Sequence, residues 1–84
     1  MRHFSTPEFW VHYRQLPAVV RELADKSFSL VKADPRHAFV RLEKTGRFWS
    51  ARVGLHYRAL AREQADGSLA WFWVGPHATY DQLT

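Results

Sequence analysis

The sequence predicts an α+β domain in which an N-terminal helical hairpin packs on one face of a mostly antiparallel, four-stranded sheet. The first observation behind this prediction is a change of period, because apolar residues repeat at helical spacing in the first half and alternate in the second. The second observation is that turn residues separate the strand-like segments. The chain has 84 residues and contains no repeat or linker, so we expect a single domain over residues 1–84.

Two helices are predicted in the first half. Ser5-Thr6-Pro7-Glu8 supplies the capping hydroxyl, the early proline and the first-turn acid that are typical of a helix start. This helix is predicted to continue to Leu16, and Leu16-Pro17 then begins a second helix over residues 17–33, which Asp34-Pro35 ends. The second helix carries apolar residues at helical spacing, namely Val20, Leu23, Ala24, Phe28 and Val31.

Four strands are predicted in the second half, at residues 39–44, 47–53, 57–63 and 68–74. Ala65-Asp66-Gly67, between the last two strands, is a strong hairpin signal. The last strand is apolar almost throughout, which indicates a central strand buried on both faces. Gly75-Pro76 ends this strand, and residues 77–83 are predicted to form one short helical turn.

Alternation along the two middle strands gives the sheet two different faces. We expect the helices to cover the apolar face, which carries Trp49, Ala51, Val53, Tyr57, Ala59 and Ala61. The opposite face is then predicted to be open, and it carries Ser50, Arg52, Arg58 and Arg62. The sequence therefore predicts an uncovered sheet surface that bears arginines.

Positive charge is concentrated in the middle of the sequence. Residues 36–62 contain seven basic residues and one acidic residue, a net charge of +6, whereas the whole chain carries +4. This patch favours a polyanion or an acidic protein as partner, and a solvated basic surface is the alternative interpretation. The sequence has no cysteine, no apolar run near the roughly 20 residues that span a bilayer, and no signal-like apolar segment at its start. We therefore expect a cytoplasmic protein that does not bind membranes.

Arg52 and Arg58 are the first candidates for a functional site. They lie on strands joined by a short turn and share one side of the sheet, and guanidinium groups bind phosphates with paired hydrogen bonds. Ion pairing with Glu43, Glu63 or Asp81 is the structural alternative.

His77 and Tyr80 are the second candidates. His77 follows the buried strand, and an imidazole can act as a general acid or base, so His77 is a candidate for proton transfer with Tyr80 beside it in a helical turn. The alternative is a surface histidine and a tyrosine that packs the C-terminal segment down. Phe48 shares the parity of Arg52 and could stack on a base. No histidine pair has metal-ligand spacing, so we expect no metal and no cofactor.

Several segments together resemble the RelE/ParE superfamily of bacterial type II toxins. They are TPEFWVHYRQLP, GRFWSARVGLHYRALA, the hairpin after it and WVGPHATYDQL. The resemblance covers essentially the whole chain. FWSARV followed by HYRALA is particularly similar to the YoeB-like branch. A last strand that ends in glycine and is followed by His and Tyr is similar to several ribosome-dependent members.

The resemblance implies a metal-independent endoribonuclease that cuts mRNA in the ribosomal A site by attack of a 2′-hydroxyl on the adjacent phosphate. By position, Arg58 matches the strand arginine that contacts the scissile phosphate, and Arg52 matches a basic residue on the neighbouring strand. His77 matches the catalytic acid or base, and Tyr80 is a looser match to a terminal tyrosine. The set expected to contact the nucleic acid around them is Lys44, Arg47, Phe48, Ser50 and Arg62.

The resemblance leaves alternatives open. Ser50 stands where RelE-type members carry a lysine, and Glu43, His56 and His77 all remain candidates for the base. ParE-like members share the fold but act on DNA gyrase, so a gyrase-inhibiting or catalytically inactive toxin is the alternative function, and a simple RNA- or protein-binding module is a third. The resemblance also implies a cognate acidic antitoxin, with the toxin a monomer alone and part of a hetero-oligomer with the antitoxin.

Overall fold

Residues 2–84 are described by a computed structural model, and they form an α+β fold with three helices and a five-stranded mixed sheet. The strands are β1 (His3–Ser5), β2 (Glu43–Thr45), β3 (Phe48–Val53), β4 (Tyr57–Glu63) and β5 (Leu69–Pro76), and the helices are α1 (Pro7–Tyr13), α2 (Ala18–Ala33) and α3 (His77–Leu83). The strand order is β1-β5-β4-β3-β2, in which β1 is parallel to β5 and the other neighbours are antiparallel. The predicted class is confirmed, and the predicted number of strands is too low by one.

β1 is the strand that the sequence did not predict. Its residues His3–Ser5 pair with Leu69–Trp71 of β5. Thr6 continues the connection, because its amide and its hydroxyl both donate to the Trp71 carbonyl, at 3.0 and 3.1 Å. Three residues are too few to display an alternating pattern, and their partner lies at the far end of the sequence, so no local signal indicates this pairing.

β2 is shorter than the strand predicted at residues 39–44. Arg41 has a φ of 45°, in the left-handed region, so extended backbone does not run continuously from residue 39. Val40 is nevertheless fully buried, and its carbonyl accepts a hydrogen bond from the Arg52 amide. The apolar residues before β2 therefore belong to the core without belonging to the sheet.

α1 ends at Tyr13, three residues before the predicted end at Leu16. Thr6 caps its start as predicted, because the Thr6 hydroxyl accepts a hydrogen bond from the Phe9 amide at 3.3 Å. The Tyr13 hydroxyl donates to the Asp25 carboxylate at 2.9 Å, which joins α1 to α2. The two helices thus form the expected hairpin. Among residues 2–84, no helix combines the length and apolar character needed to cross a lipid bilayer.

The larger core lies between the helical hairpin and one face of the sheet. As predicted, this face carries the apolar alternation of β3 and β4: Ala51, Val53, Ala59 and Ala61 are buried, and Trp49 and Tyr57 pack beside them. From β5, Trp71 is only 2% exposed within the same core. Burial of such large apolar surfaces is the main stabilising contribution in a domain of this size.

The opposite face of the sheet is partly covered, which corrects the prediction that it is open. α3 has seven residues rather than a single turn, and its Tyr80 packs against Leu60 and Trp73 in a second cluster. A β-bulge contributes to this cluster, because the register passes from the pair Leu60–Trp73 to the pair Ala61–Trp71 and leaves Phe72 without an opposite residue. α3 thereby covers the middle of this face, where Ser50 and Leu60 are fully buried. Accessible residues remain towards the two ends of β3 and β4, Arg52 and Arg58 at one end and Phe48 and Arg62 at the other.

Candidate active site

Arg58 lies at the centre of the candidate site. Its cross-strand neighbours are Arg52 on β3 and Gly75 on β5. The Arg58 side chain is only 14% exposed, and its Nη1 atom is buried without a hydrogen-bond partner among the described residues. The Glu43 carboxylate oxygen lies 3.6 Å from this nitrogen, which is an ion-pair distance but longer than a good hydrogen bond. Arg58 Nη1 therefore has an ion-pair partner in Glu43 but makes no hydrogen bond to the described residues.

α3 places Tyr80 against Arg58 and His77 against Tyr80. His77 is the first residue of α3, and its amide donates to the His56 carbonyl at 2.8 Å, which fixes the corner between β5 and α3. The Tyr80 ring centroid lies 5.5 Å from Cζ of Arg58 and 5.4 Å from the His77 ring centroid. One aromatic ring therefore packs against both polar groups, and it contributes a cation–π contact to Arg58.

The His77 imidazole remains accessible. Its side chain is 46% exposed, and its Nε2 atom lies 3.3 Å from a carboxylate oxygen of Asp81, one helical turn further on. The carboxylate orients the ring, and the exposure allows a substrate to reach it. His77 thus has the position and the chemistry of a proton donor or acceptor.

Two residues expected to contact a nucleic acid are not exposed at the candidate site, Ser50 because it is buried and Lys44 because it faces the other way. Ser50 has no exposed surface, because Tyr80 covers it and the two hydroxyl oxygens are 3.5 Å apart. Lys44 pairs with Trp49, whose side chain packs on the helical side of the sheet, so Lys44 is on the face opposite to the candidate site. In this structure Ser50 supports α3 from below, and Lys44 is separate from the site.

The other expected contact residues lie on the face of Arg58 but towards the other end of β3 and β4. Phe48 and Arg62 are directly opposite each other on β3 and β4, on the face of Arg58. Arg47 lies in the turn before β3, with its Cζ 5.8 Å from the Phe48 ring centroid. Arg62 also makes an exposed ion pair with Glu8 of α1, at 3.5 Å.

Glu43 is the member of the site that the sequence left unresolved. It pairs with Ser50 across the β2–β3 ladder, so it shares the face of Arg58. Its parity could not be deduced because the sequence did not show where β2 begins. Among the described residues, no cluster of three or more His, Cys, Asp or Glu side chains is placed to hold a metal ion.

Comparison with known proteins identifies the fold. No protein-family model and no curated protein sequence matches the chain. The RelB–RelE antitoxin–toxin complex from Methanococcus jannaschii contains a similar chain, with a TM-score of 0.69 at 14% identity over 96% of this chain and 99% of that one. The YoeB/ParE toxin from Agrobacterium tumefaciens gives 0.65 at 18% identity over 92% and 99%. The isolated Escherichia coli RelE toxin gives 0.63 at 15% identity over 99% and 98%.

The chain therefore has the fold of a class of toxins known from toxin–antitoxin complexes. Within that class, the fold is the one shared by the RelE and YoeB/ParE structures, which confirms the resemblance to the RelE/ParE superfamily at the level of the fold. Because one fold can carry different activities, the chemistry has to be argued from the residues of the site.

Proposed function

We propose that the protein is the toxin of a type II toxin–antitoxin pair and a metal-independent endoribonuclease that cuts mRNA in the ribosomal A site. The observation that carries the proposal is the pair Arg52 and Arg58 on one face of the sheet. Arg58 Nη1 is buried without a hydrogen bond, Tyr80 packs against Arg58, and His77 packs against Tyr80. Two opposed guanidinium groups repel each other, and a buried donor that makes no hydrogen bond is destabilising. The oxygens of one phosphate would relieve both costs.

The proposed reaction is attack of an RNA 2′-hydroxyl on the adjacent phosphate. A bond forms between the 2′-oxygen and phosphorus, the bond to the 5′-oxygen of the next nucleotide breaks, one proton leaves the 2′-hydroxyl and one reaches the 5′-oxygen. Arg58 and Arg52 would stabilise the negative charge of the pentavalent transition state. His77 would protonate the leaving oxygen, and Glu43, the carboxylate nearest to Arg58, is the candidate for taking the first proton. Tyr80 would hold Arg58 and His77 in position.

The proposed partners follow from the fold and from the charge. The similar structures include toxin–antitoxin complexes from Methanococcus jannaschii and Escherichia coli. The net charge of +6 in residues 36–62 favours an acidic antitoxin segment that lies on the sheet face. The toxin and antitoxin would then form a hetero-oligomer, and the toxin would dissociate from it as a monomer before acting on the ribosome. Co-expression with the product of the adjacent reading frame should recover a complex with a small acidic protein, and recovery of the chain alone would count against this partner.

The decisive experiment adds purified protein to translating ribosomes and maps the mRNA ends by primer extension. We expect cleavage within the A-site codon, and a loss of about 100-fold or more for Arg58→Ala and for His77→Ala, because acid–base groups and charge stabilisation each contribute on that order. Arg14→Ala is the matched control, since it removes an exposed arginine from the end of α1. Circular dichroism verifies that each variant is folded.

The other functions give different results in the same experiment. Intact mRNA together with inhibited DNA gyrase would indicate the ParE-like alternative. RNA binding with a steep salt dependence and no cleavage would indicate a binding module. Cleavage that survives both Arg58→Ala and His77→Ala would show that the site is assigned to the wrong residues.

A further inference from the structure

Two phenylalanine rings lie side by side next to α3. Phe48 on β3 and Phe72 on β5 have ring centroids 5.2 Å apart, with their planes inclined by 57°. Both are half-buried and pack at the margin of the cluster formed by Leu60, Trp73 and Tyr80. The buried cluster fixes the two rings from beneath, while part of each ring remains exposed.

An arginine lies over each of these rings. Cζ of Arg62 is 3.8 Å from the Phe72 ring centroid, and Cζ of Arg47 is 5.8 Å from the Phe48 ring centroid. Both arginines are exposed. These four residues, Arg47, Phe48, Arg62 and Phe72, are called the Phe48/Phe72 platform below.

The Phe48/Phe72 platform lies on the same face of the sheet as Arg58, on the other side of Tyr80. Arg62 follows Arg58 by four residues on β4 and lies on the same face, about 13 Å away at the usual rise of a strand. Tyr80 connects the two regions, because it packs against Arg58 and belongs to the cluster beneath the two phenylalanines. A strand held at Arg58 would therefore reach the platform with a different nucleotide.

We propose that the Phe48/Phe72 platform is a second nucleic-acid subsite, which binds single-stranded RNA through base stacking on the two rings and phosphate contacts to Arg47 and Arg62. The inference rests on the proposed function, and it specifies where the RNA runs beyond the bond to be cut. Every base has a π face, so this subsite binds RNA with little dependence on base identity.

The charges around the platform favour this occupant. Glu8 is the acid that pairs with Arg62, and both side chains of that pair are largely exposed, so a phosphate competes with it at little cost. When the Arg62 guanidinium moves to that phosphate, it leaves the face of Phe72 that it covers in the free protein, and a base can stack there. An acidic protein segment would use the arginines but would leave the phenylalanine rings without flat partners. Single-stranded RNA satisfies the rings and the guanidinium groups together.

The test measures fluorescence anisotropy of a labelled single-stranded RNA with the free protein, in parallel with an abasic strand of equal length. Phe72→Leu should weaken binding of the normal RNA about fivefold or more, because stacking is lost, and leave binding of the abasic strand unchanged. Arg62→Gln should weaken both and reduce the salt dependence by about one phosphate contact. Phe39→Leu is the matched control, because Phe39 is also half-buried beneath a cation, with Lys26 Nζ 5.0 Å from its ring, but packs on the helical side.

Two further variants separate stacking from a loss of folding. Phe48→Leu repeats the test from another strand, and Phe72→Tyr keeps the ring and should bind like the parent protein. The proposal is overturned if Phe72→Leu and Phe48→Leu bind the normal RNA like the parent protein. It is also overturned if both variants bind the normal and the abasic RNA more weakly by the same factor, or if a parallel measurement shows weaker binding of the antitoxin and unchanged binding of RNA. A protein that binds RNA through the platform but does not cut mRNA would contradict the proposed function and leave the subsite intact, because this assay does not require cleavage.

Discussion

Arg52 lies directly opposite Arg58 across the β3–β4 ladder, and both side chains point to the same face of the sheet. Arg58 has Glu43 at ion-pair distance, whereas no ion pair to Arg52 is formed among the described residues. Like charges at directly opposed positions destabilise a sheet. The placement therefore favours an anion-binding role for the pair over a purely structural one.

Arg52 is predicted to destabilise the fold by repelling Arg58 across the ladder. Arg52→Gln should raise the free energy of unfolding by about 0.2–1 kcal/mol, because it removes the repulsion, and should lower mRNA cleavage. Urea denaturation measures the first effect and primer extension the second. Arg14→Gln should change neither quantity. A variant at position 52 that loses both stability and cleavage would contradict the idea that Arg52 costs stability.

Tyr80 is predicted to hold α3 through its ring and not through its hydroxyl. Tyr80→Ala should lower the free energy of unfolding by about 3–5 kcal/mol, because it opens a cavity above Leu60 and Trp73. Tyr80→Phe should cost less than about 1 kcal/mol, because the contact to Ser50 is at the long limit for a hydrogen bond. Denaturant unfolding compares the two, and hydrogen exchange of residues 77–83 reports whether α3 stays docked. Equal losses for both variants would assign the docking to the hydroxyl.

Position 75 is predicted to require glycine, because the Trp73 ring occupies the space that a side chain there would need. A methyl group on Gly75 would lie 2.5 Å from Cζ2 of Trp73, so Gly75→Ala should destabilise the fold by about 1–3 kcal/mol through overpacking. Trp73→Phe shortens the side chain that causes the clash. In a double-mutant cycle, Gly75→Ala should therefore cost clearly less in the Trp73→Phe background. Additive losses would show that the two residues do not share this space.

Stability is predicted to depend on the protonation of His3. Burial lowers the pKa of His3, and the positive charges of the amino terminus and Lys32 lower it further. His3 Nδ1 accepts a hydrogen bond from Trp71 Nε1 at 3.1 Å, which the neutral ring allows and a proton on Nδ1 would break. The unfolded chain therefore binds this proton more readily than the folded chain does. The contribution of His3 to the free energy of unfolding is complete above the ordinary histidine pKa of 6.5 and is lost as the pH falls below it.

Thermal unfolding between about pH 5 and pH 8 measures this effect. His3→Gln should show a weaker loss of melting temperature below the ordinary histidine pKa than the parent protein does. His56→Gln, at an exposed histidine in the turn between β3 and β4, is the control and should keep the parent's pH dependence. Identical pH profiles for the parent and His3→Gln would mean that other groups are responsible.

Alternation in the sequence was sufficient to predict β3 and β4 and the shared face of Arg52 and Arg58, because strand parity is a local property. Parity also placed Ser50 on that face. It could not show that Tyr80 covers Ser50, because α3 reaches the sheet through contacts between distant parts of the chain. The backbone at Arg41 is in the left-handed region, and β2 begins after it, so this residue determines the face on which Glu43 lies. An arginine gives no signal in the sequence that its backbone will adopt this conformation.

The pairing of β1 with β5 has a consequence for how the protein is made. The chain is synthesised from its N-terminus, so β1 has no partner until residues 69–71 have emerged from the ribosome. His77 and Tyr80 emerge later still, and the helix that carries them docks only on a sheet that already contains β4 and β5. A growing chain therefore has no assembled site until β5 and α3 have left the ribosome, and the proposed activity against ribosome-bound mRNA begins only then.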